Sequence, residues 1–508
     1  MNKADLILTN GKVFTLWEER PWVAAVAVGD GRVLAAGDEA EVMRFGTPHT
    51  EVIDLQGKTV VPGFTDSHNH LLYYGQTALL WADLGGCRSM DELLDRLREH
   101  DKNRPSEWIL GIGFDHEILA EHRMPTRDDL DKVSRTKPIF IVRLCGHACV
   151  ANSKAIELAG PERLPEIGRN TGLLTEDDQG PVWAKVPDPT FDQLVEAAWF
   201  ATQKARSTGI TSVHALIGSM DEYKAFKHLH DKGELPIRLY IQPRHGMVDD
   251  LMKQGLKTGV GDDMFRIGSA KIFADGSMGA RTAAMVDDYT DDPGNKGWLL
   301  HTDEAMTEMV RKVHKAGWQA AVHAIGDRAM EQVVDAFEMV LKESQESNLK
   351  RRHRVEHASI LSESLIKRMA ELKILAAVQP QFVVTDFWTI NRVGPERYRY
   401  TYPFRTLVES GVPTSFGSDC PVEHLDAFEL IYRAVTRDEQ SKSECLSVEG
   451  AIRLYAGTAP FFAFEEDRRG SLAPGMLADM VVLDRDIFTI PTQDIPRLKA
   501  ERVYVGGK

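Results

Sequence analysis

The feature that most constrains this chain is a long alternation through its middle. Short apolar β-type runs recur there, each followed by a helix-like stretch. Gly209-Ile-Thr-Ser-Val-His precedes a helical pattern over residues 221–232, and Gln319-Ala-Ala-Val-His precedes another over 327–344. Further runs are 266–273, Arg354-Val-Glu-His, Leu375-Ala-Ala-Val-Gln and Thr414-Ser-Phe-Gly-Ser-Asp. Parallel strands need crossover connections, so strands alternating with helices predict a parallel α/β architecture. A closed barrel and a doubly wound sheet both satisfy that pattern. No Gly-x-Gly-x-x-Gly and no P-loop follows any run, so a nucleotide-binding sheet has no support. From about residue 85 to 190 the alternation fails. Pro105, Pro125, Pro138, Pro161, Pro165, Pro181 and Pro187 interrupt it, and the stretch reads as an insertion.

The chain ends differ from the middle. Residues 4–61 read as short strands. Ala4–Thr9 meets Asn10-Gly11, a hairpin signal, before Val13-Phe-Thr-Leu. Residues 24–28 and 32–36 flank Gly29-Asp30-Gly31, and Gln56-Gly57 separates two more runs. At the far end, Gly470-Ser-Leu-Ala-Pro-Gly is a turn cluster, followed by strands near 478–484 and 502–505. Two strand-rich ends predict one small sheet domain built from both.

Length and charge bound the partners. A chain of 508 residues, 43% hydrophobic, suits about three domains, or one large barrel with an accessory domain. The formal net charge of −15 argues against nucleic-acid or anionic-membrane partners, which demand a basic face. No apolar run approaches the ~20 residues of a membrane span. Five cysteines without a Cys-x-x-Cys pair oppose a disulfide framework and a thiolate zinc site. The expectation is a cytoplasmic protein acting on a small molecule.

Ionisable residues sit where the apolar runs end. His68-Asn69-His70 follows the extended stretch after Thr59, and a period of two puts both imidazoles on one face, able to chelate one ion. Lys271 lies within a strand expected from Ile267 to Phe273. His323, His357 and Asp419 each end a later run. In a parallel barrel the carboxyl ends of the strands converge on one site. Converging there, these groups predict a metal centre rather than separate buried polar residues, each needing its own partner. A buried Lys271 would lose hydration and become a better neutral amine, which can add CO2 to form a bridging carbamate. Pairing with Asp275, or with a substrate anion, is the competing role.

Pro62-Gly-Phe-Thr-Asp-Ser-His-Asn-His, Ala270-Lys-Ile-Phe-Ala-Asp-Gly-Ser, Val322-His-Ala-Ile-Gly-Asp, Arg354-Val-Glu-His and Gly417-Ser-Asp-Cys-Pro-Val together resemble the amidohydrolase superfamily. More narrowly they resemble its family three, which contains N-substituted formamide deformylases. The resemblance covers nearly the whole chain. It implies an α/β fold: a (β/α)8 TIM-like metallo-hydrolase barrel over 63–464, with a small β-sandwich domain from 1–62 plus 465–508. It also implies a ligand set. His68, His70 and Asp419 would hold one ion and His323 and His357 another, with an N6-carboxylated Lys271 between them. One or two divalent ions per chain, zinc foremost, are expected. Asp419 would be the general base, then acid, around a metal-bound hydroxide.

Arg143-Leu-Cys-Gly-His147 resembles a substrate-facing family segment, with Cys145 where an aspartate is common. Arg143, His147, Asp115 and Arg281 are therefore the expected substrate contacts. The function implied is hydrolysis of a non-peptide C–N bond in an amide, N-substituted formamide or cyclic amide. A mononuclear deaminase of a heterocycle and a non-catalytic binding protein are the alternatives. Family habit also implies a homo-oligomer.

Overall fold

The structure is a computed structural model that describes residues 3–143, 146, 148–437 and 442–508. They form two compact units, one holding the chain up to Leu71 together with Ala201–Lys508, the other Leu72–Phe200.

The first unit contains eight parallel strands: β1 (Phe64–Asn69), β2 (Ile210–Ile217), β3 (Arg238–Pro243), β4 (Ala270–Phe273), β5 (Ala320–Ala324), β6 (Arg354–His357), β7 (Leu375–Val378) and β8 (Thr414–Phe416). β1 to β3 pair in order, as do β4 to β8. Two seams join these sets. Arg244 bridges Lys271 in parallel, and the Gly268 N–H donates to Ile241 O at 2.7 Å. At the other seam the Asp419 N–H donates to His68 O at 2.8 Å and the His70 N–H to Cys420 O at 2.9 Å. The eight strands thus close into a ring with helices such as Asp327–Ser344 and Glu363–Leu372 between them. Gly417 permits the second seam, because a Cβ there would lie 2.5 Å from His68 N.

Two expectations are corrected in this unit. The run 266–273 is not one strand: Phe265–Ile267 pairs with β3, and β4 begins only at Ala270. At Gly268 a Cβ would meet the Tyr240 ring at 2.6 Å, so the chain breaks there and changes partners. The expected hairpin at Asn10-Gly11 is also absent. Asn10 does take a left-handed turn, φ 52°, but Leu6–Thr9 pairs with Ala25–Gly29 while Lys12–Phe14 pairs with Thr59–Pro62. Leu6, Leu8 and Val13 all bury into one core, which separates the two strands into different sheets.

Those sheets have four and five strands. In the second, Met480–Leu483 pairs antiparallel with Thr59–Pro62, so the two chain ends do meet. Leu8, Val26, Val60, Met480 and Val482 share the core that both sheets bury.

The 72–200 unit is more regular than its prolines suggest. Ala82–Asp83, Ile109–Phe114 and Ile139–Arg143 run parallel, and Ala148–Ala151 and Leu173–Thr175 continue the sheet antiparallel. Ile141 and Val150 face one apolar core, and Phe140, Val142, Cys149 and Ala151 another, as a period of two requires. Pro138 precedes its strand, while Pro161 and Pro181 open helical turns. The prolines punctuate the elements instead of preventing them. Among the described residues no helix is long and apolar enough to cross a membrane.

Candidate metal centre

Five of the residues expected from the sequence stand at or just past the carboxyl ends of barrel strands, and a sixth, Lys271, lies within one. β1 carries His68 and leads into His70; β4 carries Lys271, β5 His323, β6 His357, and the turn after β8 Asp419. His68 Nε2 lies 3.2 Å from Asp419 Oδ1 and 3.3 Å from Lys271 Nζ. His70 Nε2 lies 3.1 Å from the same carboxylate oxygen. Ring centroids of His68 and His357 are 5.0 Å apart, and those of His323 and His357 4.5 Å. One ligand atom each from His68, His357 and Asp419 fits within 4.8 Å. His357 and Asp419 have positive φ, 75° and 58°. Such conformations are costly for residues with a Cβ and cluster at functional sites.

Neighbouring groups orient the histidines. His357 Nδ1 lies 2.8 Å from Gln379 Oε1, which assigns its proton to Nδ1 and frees Nε2. His323 Nε2 lies 2.9 Å from Gly276 O, so its proton sits on Nε2 and Nδ1 is free. His68 Nδ1 stands 2.6 Å from Glu356 Oε2. Glu356 is bound by Arg354 through Nε and Nη2, at 2.6 and 3.0 Å, and both residues are fully buried. Asp66 fastens the β1–β8 seam: it accepts from the Ser418 N–H and hydroxyl and from Asn69 Nδ2.

Asp275 is not the partner of Lys271. Its carboxylate accepts the backbone N–H groups of Ala284, Ile325 and Gly326. Lys271 is completely buried against Phe273 and His68, and burial lowers its pKa to about 8. Burial also depresses His70, and it holds His357 well below the ordinary histidine range. For Asp419, burial favours the acid, but the close imidazoles of His68 and His70 outweigh it and hold the carboxyl well below its ordinary range. Burial and Lys271 oppose the cation at His68, yet Glu356 and Asp419 raise its pKa overall.

These residues fit a divalent cation. Asp419 Oδ1 is buried, and no donor reaches it with good hydrogen-bond geometry, although two imidazole nitrogens stand just over 3 Å away. Zinc–nitrogen bonds of about 2.0–2.1 Å in a tetrahedron place ligand atoms ~3.3 Å apart. Neutral imidazoles and an ionised carboxylate are the donor states such an ion requires.

A match to the Amidohydrolase family spans residues 51–508. The chain belongs to that family. This amidohydrolase is 32% identical to the putative amidohydrolase YtcJ of Bacillus subtilis (strain 168), over 98% of each chain. It is 28% identical to the N-substituted formamide deformylase of Arthrobacter pascens, over 99% of this chain and 97% of that one. Among solved structures it resembles an uncharacterized metal-dependent hydrolase from Pyrococcus furiosus, with a TM-score of 0.83 and 32% identity over 95% of this chain and all of that one. The amidohydrolase thus has the TIM-barrel metallo-hydrolase fold of its relatives, and it is a hydrolase.

Three of the four expected substrate contacts carry ion pairs. Arg281 is committed to Asp291, with contacts of 2.7 and 3.2 Å. Arg143 and Asp115 belong to the 72–200 unit, where Arg143 donates to Asp115 Oδ1 at 2.8 Å and to His116 Nδ1 at 3.2 Å. His147 lies outside the described residues. Sequence reasoning missed Asp66, Arg354, Glu356 and Gln379. A signal existed for two of them: Arg354 and Glu356 are opposite charges at alternate positions of one short strand, so they share a face and can satisfy each other when buried.

Proposed function

We propose that this amidohydrolase hydrolyses a non-peptide C–N bond in a small-molecule amide, N-substituted formamide or cyclic amide. The observation that carries the reading is Asp419 Oδ1, buried beside His68 and His70 with no hydrogen-bond donor among the described residues, while Lys271 Nζ stands 3.3 Å from His68. His68, His70 and Asp419 would hold one divalent ion, His323 and His357 a second, and Lys271, as a carbamate, would stand between them. Such ions, when bound, lower the pKa of water to ~7 and polarise a carbonyl. Zinc suits this donor set. With a pKa near 8, Lys271 is partly neutral at physiological pH, and the neutral amine is the form that adds CO2.

The chain's own residues then manage the proton. Asp419 is held ionised, so it can accept a proton at its carboxylate as water attacks the carbonyl. It can return that proton to the departing nitrogen, acting first as base and then as acid. Glu356, Gln379 and Gly276 hold the imidazoles while this happens. The relationship to a formamide deformylase favours an amide over an aminated ring. Arg143, His147, Asp115 and Arg281 remain our candidates for substrate contact. We assign 1–62 with 465–508 to a β-sandwich domain, and the enzyme to the cytoplasm.

A one-ion deaminase is the second reading, favoured by the compact His68–His357–Asp419 triad. Elemental analysis of protein purified without chelator separates the two. About two ions per chain, with turnover of a formamide or cyclic-amide panel, supports the first. One ion, with ammonia released from heterocycles, replaces it with the second.

A further inference from the structure

The three inward histidines differ in what fixes them. His357 leans on an amide oxygen, and His323 leans on a backbone carbonyl with the Asp275 carboxylate behind it. His68 has a carboxylate oxygen closest of all, Glu356 Oε2 at 2.6 Å from its outer nitrogen, against 3.3 Å from His323 Nε2 to Asp275 Oδ1. Among the described residues His68 Nδ1 has no other partner, and its contact with Glu356 Oε2 is short, at 2.6 Å. Its proton therefore has one destination.

Glu356 is itself immobilised. Arg354 grips both its oxygens, donates to Ser67 O at 2.5 Å on the residue before His68, and reaches His214 Nδ1 at 2.9 Å. The guanidinium thus ties together the carboxylate behind the imidazole and the backbone that carries the imidazole.

We infer that Glu356 is a positioning residue for the metal centre, clamped by Arg354 so that His68 keeps its proton on Nδ1 and presents Nε2 to Asp419 and Lys271. The inference rests on the ligand assignment proposed above. Glutamine cannot replace it. Oε1 faces the Arg354 Nε–H, while Oε2 faces both an Arg354 Nη2–H and His68 Nδ1. A glutamine NH2 group must therefore oppose Arg354 or force the proton of His68 onto Nε2, where it blocks the ligand position.

The test compares full-length wild type, Glu356→Gln and His68→Asn. Zinc affinity is read by competition with a chromophoric chelator after stripping. The ring proton of His68 is located by 15N NMR of the zinc-loaded wild type. We expect Glu356→Gln to bind zinc 10- to 100-fold more weakly, the usual cost of losing a histidine's outer partner, and the wild-type ring to carry its proton on Nδ1. Wild-type affinity in Glu356→Gln while His68→Asn binds weakly would overturn the inference alone. Wild-type affinity in His68→Asn would overturn the ligand assignment instead. If Glu356→Gln does not fold, the ring measurement decides: a proton on Nε2 refutes the role and one on Nδ1 supports it.

Discussion

His353 and His357 are four residues apart, at opposite ends of β6, and both are buried. Their surroundings differ completely. His353 Nδ1 accepts from the Ala320 N–H at 3.0 Å, and its Nε2 lies 2.9 Å from His314 Nδ1, so both ring nitrogens are satisfied by protein. Phe337 stacks on its ring. His357 instead turns Nε2 toward Asp419 and His68, in a cluster that leaves a buried carboxylate oxygen without a donor. The lesson is that a buried histidine signals little. An incomplete hydrogen-bond account around it signals a site. The contrast follows the barrel rule that carboxyl-end residues serve chemistry and amino-end residues serve stability.

The contrast can be broken most sharply at Asp419. Asp419→Asn should cost ~10³-fold or more in kcat on the amide panel, with circular dichroism unchanged; a fully active variant would remove Asp419 from the mechanism. Next in size is metal removal. A strong chelator should abolish turnover and zinc should restore it, while thermal unfolding shows a lower Tm for the stripped protein, as expected when an ion binds only the folded chain.

The other end of β6 should respond in stability and not in rate. Burial, with help from the charges of His314 and Arg351, lowers the His353 pKa to about 3. The unfolded chain, with histidine near 6.5, therefore binds the extra proton between those values. This contribution is intact above pH ~6.5 and is lost as pH falls toward 3, at ~1.4 kcal/mol per unit. His353→Gln should leave kcat near wild type and cost ~1–3 kcal/mol at pH 7.5. It should also flatten the fall in urea-unfolding stability between pH 6.5 and 5 by ~2 kcal/mol. An unchanged pH slope would show that His353 does not titrate on unfolding as assigned. The smallest effect belongs to Arg281→Ala. Breaking its partly exposed pair with Asp291 should shift stability by under ~1 kcal/mol, and a rise in KM would show that Arg281 also meets substrate.

The chain's alternation of β-runs and helices, and the ionisable residues closing those runs, were legible because both depend on local order. Period and position place His68, His70, His323, His357 and Asp419 at strand ends without knowledge of any neighbour. The sheet in 72–200 was hidden because prolines at the edges of its elements look the same in sequence as prolines that prevent them. The hairpin at Asn10 misled because a left-handed turn fixes local direction only, and the core decided which sheet each strand joined.

Sequence alone therefore determined the α/β class, the pairing of the two chain ends, and which side chains end the barrel strands, since each follows from period, turn chemistry and burial of apolar runs. Tertiary structure decided what those side chains face. Lys271 meets His68 and not Asp275, Glu356 backs His68, Gln379 backs His357, and Asp66 locks the seam carrying Asp419. These contacts join residues tens to hundreds of positions apart, and ring closure alone brings them within hydrogen-bond range.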